Sequence, residues 1–142
     1  MRCADLMKTS VVYVREDETA QTAARLMREG NVGFLPVVDD QKRVVGALTD
    51  RDLAIRVCAE DLEATEVRVG SIMTPEVVAC RPEDDVGRAR ELMAANRKSR
   101  LLVVGDDRFL RGVISLSDFA DLDEAGAAET LREVSSREAR PS

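Results

Sequence analysis

The chain has 142 residues, of which 44% are hydrophobic, 34% charged and only 3% aromatic. That is one compact unit or two very small ones, with a core that must be built from aliphatic side chains. With 21 basic and 27 acidic side chains the formal net charge is −6, which repels a phosphate backbone and argues against general nucleic-acid binding. Histidine is absent, which excludes a Ser-His-Asp triad, a Cys-His dyad and His-ligated zinc.

The three cysteines, Cys3, Cys58 and Cys80, form no CxxC spacing and are odd in number. That pattern fits a reducing compartment better than a disulfide framework. Met1-Arg2-Cys3-Ala4-Asp5 has no charged-then-apolar signal pattern, and no apolar run approaches about 18 residues. A cytoplasmic protein without a membrane segment is expected.

In chain order, Val11–Val14 is a short β-branched run that reads as a buried strand. A helix follows, capped by Thr19 or Asp17, with Ala23, Leu26 and Met27 as its apolar stripe and Gly30 at its stop. Phe34–Val38 and Val44–Thr49 read as a hairpin joined by the polar residues 39–42. A second helix starts near Asp50–Asp52. Glu60–Val69 is acidic and aperiodic, and reads as a connector. The series then recurs: strand Val77–Cys80, a helix capped by Asp84 or Asp85 with Ala89, Leu92 and Met93 inside and Asn96 at its end, strands Arg100–Val104 and Leu110–Ser115, and a helix from Ser117–Asp118. The tail, Asp121–Ser142, carries a weak stripe of Leu122, Ala128, Leu131 and Val134. It reads either as a terminal helix on its own domain, fraying after Ser136, or as a contact for a second subunit.

The recurrence is a duplication at an offset of 66 positions, 73 − 7 for the pair Met7 and Met73. Residues 4–54 match residues 70–120 without a gap at 14 of 51 positions, where chance gives about four. The expected fold is therefore α+β: two β-α-β-β-α units, residues 1–59 and 70–121, joined by residues 60–69 and followed by the tail, 122–142. A unit of about 50 residues buries too little surface alone, so two packed sheet against sheet are expected.

The ends of the third strands carry the chemistry. Thr49 precedes Asp52 by three residues, and Ser115 precedes Asp118 likewise, a spacing that sets hydroxyl and carboxylate on one side of a helical turn. An ionised carboxylate accepts from both hydroxyls of a ribose diol. The amides at a helix N-terminus favour phosphate, and the Thr or Ser hydroxyl adds a donor. The alternative is structural: Thr49 or Asp50 caps the helix and Asp52 offsets its dipole. Val11, Val12, Val77 and Val78 are expected in the core first, and secondly as an apolar wall against a base.

Gly46-Ala47-Leu48-Thr49-Asp50-Arg51-Asp52 and Gly112-Val113-Ile114-Ser115-Leu116-Ser117-Asp118 resemble the glycine–hydrophobic–hydrophobic–Thr/Ser–x–x–Asp signature of CBS domains, which occur as tandem pairs. Leu6-Met7-Lys8-Thr9, Ile72-Met73-Thr74-Pro75 and Phe34-Leu35-Pro36-Val37 are similar to other motifs of the family, although Leu102 stands where proline is usual. The resemblance covers residues 4–120. It implies two units related by a pseudo-twofold axis, disc-like homodimers, and clefts that bind AMP, ADP, ATP, S-adenosylmethionine or NAD. In such clefts the signature of one copy meets the lead-in and middle strand of the other.

On that reading Asp52 and Asp118 hold ribose, Thr49, Arg51, Ser115 and Arg100 meet phosphate, and Thr9, Val11, Gly33, Phe34, Thr74, Val77 and Ser99 surround adenine. Thr49 and Asp52 would face Thr74–Val78 with Ser99 and Arg100. Ser115 and Asp118 would face Thr9–Val12 with Gly33 and Phe34. The Asp52 cleft would then be the more cationic and the one preferred by phosphate-rich ligands. No catalytic residue, metal site or required cofactor is expected. The expected function is a regulatory or sensor module acting in trans on an unidentified protein partner, the alternative being a ligand-free structural or interaction module. An enzyme using Asp52 and Asp118 is disfavoured, because no nucleophile or metal cluster accompanies them.

Overall fold

The computed structural model describes residues 1–120, 122 and 132–135. In chain order the first elements are α1 (Cys3–Leu6), β1 (Val14–Arg15), α2 (Ala20–Gly30), β2 (Phe34–Val38), β3 (Val44–Thr49) and α3 (Asp50–Leu53), which runs on into a π-helical turn, Ala54–Cys58. Then come α4 (Val69–Ile72), β4 (Ala79–Cys80), α5 (Val86–Asn96), β5 (Arg100–Val104), β6 (Leu110–Ser115) and a 3₁₀ turn, Leu116–Phe119. The architecture is α+β, with two three-stranded sheets ordered β1-β2-β3 and β4-β5-β6. In each sheet the short first strand runs parallel to the middle one, which pairs antiparallel with the third.

The compact units cut across the two repeats. One spans Val12–Val77, and the other joins Met1–Val11 to the chain from Val78 onward; they are called here the Asp52 unit and the Asp118 unit. The physical reason is backbone pairing. Lys8 and Val113 exchange two hydrogen bonds of 2.9 and 3.0 Å, and Ala47 and Thr74 exchange two of 2.9 Å. Each lead-in segment is thereby stitched to the third strand of the other repeat. The expected connector is also integrated: the N–H groups of Ala20 and Gln21 donate to the carbonyls of Val67 and Ala64, and Val69 is fully buried.

Each unit has its own aliphatic core. In the Asp52 unit Val14, Leu35, Val37 and Leu48 from the sheet meet Ala20, Ala23 and Met27 of α2, with Val57, Val69 and Ile72 closing it. In the Asp118 unit Leu101, Val103 and Ile114 meet Ala89 and Met93 of α5, with Cys3, Cys80 and Phe119. The strict in–out alternation of β3 follows from one face resting on that core.

The caps resolve the alternatives. Thr19 Oγ1 accepts from the Thr22 N–H at 3.2 Å, and Asp85 accepts from the Gly87 N–H at 2.8 Å while Asp84 takes the Arg81 N–H. The left-handed residues that end the helices are Asn31 (φ 51°) and Arg97 (φ 54°), one position beyond the expected Gly30 and Asn96. Val32 and Lys98 then donate back to Met27 and Met93, closing each terminus in the Schellman manner. Gly30 answers a different need: a Cβ there would stand 3.2 Å from Val12 Cγ2.

The first strands are shorter than expected. Val14–Arg15 replaces Val11–Val14, and Ala79–Cys80 replaces Val77–Cys80. Pro36 has no N–H to offer β1, so pairing stops at Val14–Val37. Leu102, its counterpart, pairs with Ala79 and donates its N–H to the Val78 carbonyl, and the pairing extends one residue further. Val11, Val77 and Val78 are only half-buried and Val12 is exposed; Val78 still packs against the core of the Asp118 unit, whereas Val11, Val12 and Val77 are not core residues as expected. Of the tail stripe, Leu122 is exposed and Val134 buried; Ala128, Leu131 and the end beyond Ser136 lie outside the described residues.

Gly46 and Gly112 permit the stitching. A Cβ at Gly46 would meet the Thr74 carbonyl at 2.8 Å and Met73 Sδ at 2.6 Å; at Gly112 it would meet the Lys8 carbonyl at 2.6 Å. Neither glycine has a positive φ, so the requirement is space, not conformation. Gly112→Ala should destabilise the fold by about 1–3 kcal/mol in urea unfolding, through the strain of an overpacked contact. Gly105→Ala, whose Cβ would first meet the side-chain ends of Asp107 and Arg111 and not backbone, should cost less than Gly112→Ala.

Candidate functional site

Both signatures fold into the same local device. At the end of β3, Thr49 Oγ1 accepts from the Asp52 N–H at 3.1 Å, and Asp52 Oδ2 accepts from the Thr49 N–H at 3.0 Å. At the end of β6, Asp118 Oδ2 accepts from the Ser115 N–H at 2.7 Å and from the Ser115 hydroxyl at 3.1 Å. Each signature is a reciprocal capping box, so the structural role expected of a Thr-x-x-Asp spacing is present.

The caps use one oxygen of each carboxylate. The other, Oδ1, stands beside a cation: Arg56 Nε lies 3.8 Å from Asp52, and Lys8 Nζ lies 3.5 Å from Asp118. The carboxylate side chains are only 15% and 10% exposed, whereas Arg56 and Lys8 are 49% and 72% exposed. The acids are held in place; Lys8 extends into solvent, whereas Arg56 also donates from Nη1 to the Ile72 carbonyl at 3.3 Å. An ionised carboxylate offers roughly four lone-pair directions, so Oδ1 retains acceptor capacity for a ligand hydroxyl.

The Asp52 unit also holds Gly33, Phe34, Thr74 and Val77. Phe34 stands opposite Thr49 in the sheet, on the same face. The Asp50 N–H donates to the Gly33 carbonyl at 2.9 Å, and a Cβ on Gly33 would stand 2.7 Å from Asp50 Oδ2. Thr74 is exposed above Ala47. The Asp118 unit holds Thr9, Val11, Ser99 and Arg100. Arg100 is exposed and pairs with Ser115 across β5–β6, and the Ser99 carbonyl accepts from the Leu116 N–H at 2.8 Å.

The lead-in residues do join the signature of the other repeat, Thr74 with the Asp52 unit and Lys8–Val11 with the Asp118 unit. Within each sheet antiparallel register sets Phe34 beside Thr49 and Arg100 beside Ser115. The amides expected to greet phosphate are occupied as well: the Asp52 N–H by Thr49 Oγ1, and the Arg51 N–H by Asp50 Oδ1 at 2.9 Å.

Lys8 and Arg56 were not singled out in the sequence. Arg56 was findable, since it lies four residues after Asp52 on one helix face. Lys8 aligns with the uncharged Thr74 at the repeat offset, and only the Lys8–Val113 bridge brings it to Asp118. Among the described residues no group of three or more His, Cys, Asp or Glu side chains could hold a metal ion. No helix among them is long and apolar enough to cross a membrane.

Replacing Thr49 by Ala removes the acceptor of the Asp52 N–H and should cost about 1 kcal/mol in unfolding free energy. Thr49→Ser, which keeps the hydroxyl, should lose only a small fraction of that; chemical denaturation of the two variants separates them.

Comparison with known proteins places this device in a wider set. A family model described as the CBS domain matches residues 3–58 and 69–124. The CBS domain-containing protein YhcV of Bacillus subtilis is 36% identical over 133 residues, which cover 92% of this chain and 93% of that protein. Hypoxic response protein 1 of Mycobacterium tuberculosis is 29% identical over 116 residues, 82% of this chain and 80% of that one. A crystal structure of Hypoxic Response Protein I with two coordinated zinc ions superposes with a TM-score of 0.78, at 28% identity, over 87% of this chain and 99% of the other. The CBS domain pair of protein MJ0100, solved in complex with 5′-methylthioadenosine and S-adenosyl-L-methionine, superposes with a TM-score of 0.73 at 23% identity, over 86% and 94% of the two chains.

Proposed function

The chain belongs to the CBS domain family, and on that premise we propose that it is a regulatory module whose two signature sites take adenosine-containing ligands and whose occupancy modulates a protein partner in trans. AMP, ADP, ATP, S-adenosylmethionine and NAD form the ligand class. Assembly into a homodimer belongs to the same reading. One observation carries the proposal: in both units a sheltered carboxylate keeps its Oδ1 off its own cap and beside a cation. That is the charge pair a ribose diol and a phosphate require together. The half-buried Val11 and Val77, relieved of a core role, supply apolar surface for a base. The MJ0100 pair shares the fold and holds two adenosyl compounds, which makes that class the first to test.

On the groups that each unit supplies by itself, the two sites are electrostatically unequal. Around Asp118 stand Lys8 and Arg100, with the neutral Leu116 and Ser117 completing the signature. Around Asp52 stand Arg51 and Arg56, but Asp50 adds a second carboxylate beside Gly33. Phosphate-rich ligands therefore favour the Asp118 site, and ligands with a cationic or neutral 5′ group favour the Asp52 site.

A second reading also has an observation behind it. Because both carboxylates close capping boxes, the signatures are explained by folding alone in a ligand-free structural or interaction module. Calorimetry and thermal shift with ATP, AMP, NAD and S-adenosylmethionine separate the two readings. At a hundredfold excess over its dissociation constant a ligand adds about 2.7 kcal/mol of stability, a rise in Tm of roughly 5–10 °C at this chain length. Lys8→Met and Asp118→Ala should each weaken ATP about tenfold or more, and Asp52→Ala should weaken it less. No shift with any of the four compounds would support the ligand-free reading. An ATP loss confined to Asp52→Ala would reverse the assignment of the sites.

A further inference from the structure

The Asp118 unit buries two thiols against each other. Cys3 in α1 and Cys80 in β4 are 77 positions apart in the chain, yet their Sγ atoms lie 3.5 Å apart. Their residues are 0% and 4% exposed within one core cluster. The ligand reading uses neither. We propose that Cys3 and Cys80 form a reversible disulfide that staples the Met1–Val11 segment to its unit, with a peroxide as the oxidant.

The step balances as two thiols and one hydrogen peroxide giving one disulfide and two waters. The Cys3 thiolate attacks a peroxide oxygen, the O–O bond breaks, and the departing hydroxide takes a proton to leave as water. The sulfenic acid formed is then attacked at sulfur by Cys80. The S–S bond forms, a second water leaves, and two electrons have passed from the sulfurs to the peroxide. The Sγ atoms must close from 3.5 Å to about 2.05 Å.

Burial raises the Cys80 thiol far above the ordinary range and raises Cys3 as well. For Cys3 the Cys80 contact works against that rise, while the charges of Asp84 and Asp85 add to it. In the closed unit the nucleophilic thiolate is scarce and the peroxide is excluded. Oxidation therefore waits on opening of the segment. The Cys3 N–H donates to Asp84, the Ala4 N–H to Pro82, the Val86 N–H to Met1, and Lys8 and Val113 exchange their pair. Oxidation of Cys3 while the segment is lifted, followed by reclosure onto Cys80, locks it down. The same segment carries Lys8 to Asp118, so on the functional reading above the staple holds that site's cation in place.

The disulfide itself is tested without any ligand. The full chain carrying Cys58→Ser, which removes the exposed third thiol, is treated with hydrogen peroxide, denatured, alkylated with N-ethylmaleimide and weighed. The expected result is protection of both remaining thiols, a linked Cys3–Cys80 peptide on digestion, and a Tm raised by roughly 5 °C or more that dithiothreitol reverses, because a long loop has been closed. Cys80→Ala in the same background should show no such rise. Two thiols still fully alkylated, sulfinic acid instead of a disulfide, or a disulfide that lowers Tm would each overturn the proposal. The functional reading would survive any of these, since it is decided by ligand titration.

Discussion

The structure depends on how closely a lead-in segment can approach the third strand of a sheet. At Gly112 the Lys8 carbonyl, and at Gly46 the Thr74 carbonyl, occupy the space where a side chain would begin. Two hydrogen bonds at each bridge hold the approach. A net contribution of about 1 kcal/mol per hydrogen bond is small beside the aliphatic cores, but the bridges decide which residues meet. They bind each repeat's lead-in to the other repeat's third strand. They also deliver Lys8 to within 3.5 Å of Asp118, so a packing constraint at a glycine sets the charge of a site three to six residues further on.

The signature Thr/Ser-x-x-Asp unites folding and recognition. The caps fix each carboxylate before any ligand arrives, with one hydrogen bond to the Asp52 carboxylate and two to that of Asp118, and preorganisation of this kind lowers the ordering cost of binding. With the acid already held, a ligand diol has only to share Oδ1 with the neighbouring cation. At the Asp118 site Lys8, largely in solvent, can swing toward a phosphate while the acid stays still. This division of labour, a rigid acceptor with a mobile donor, is what the 10% and 72% side-chain exposures of Asp118 and Lys8 describe.

Much of the fold was legible because strong local signals agreed with the global one. β2, β3, β5 and β6 have the boundaries read from their apolar runs, and the 66-residue offset announced two sheets of one design. What was not legible depended on single atoms. Pro36 lacks the one N–H that would have extended β1 toward Val12. Asn31 and Arg97, not their neighbours, take the left-handed turn, since the residue before each still completes the helix. The grouping of Arg100 with Ser115 follows from antiparallel register, which no spacing along the chain reveals. Lys8 was invisible as a site residue because its partner, Asp118, lies far along the sequence and becomes a neighbour only through the Gly112 bridge.

The claim that a sheltered signature carboxylate grips a sugar diol is tested most directly by removing the diol and leaving everything else. Calorimetric titration of the protein with ATP and with 2′,3′-dideoxy-ATP, under identical salt, compares ligands that share base, phosphates and charge. Hydrogen bonds to a charged acceptor contribute about 1.5–3 kcal/mol, so the dideoxy compound should bind at least tenfold more weakly. Equal affinity for the two would contradict the account, because the carboxylates would then serve their helices alone.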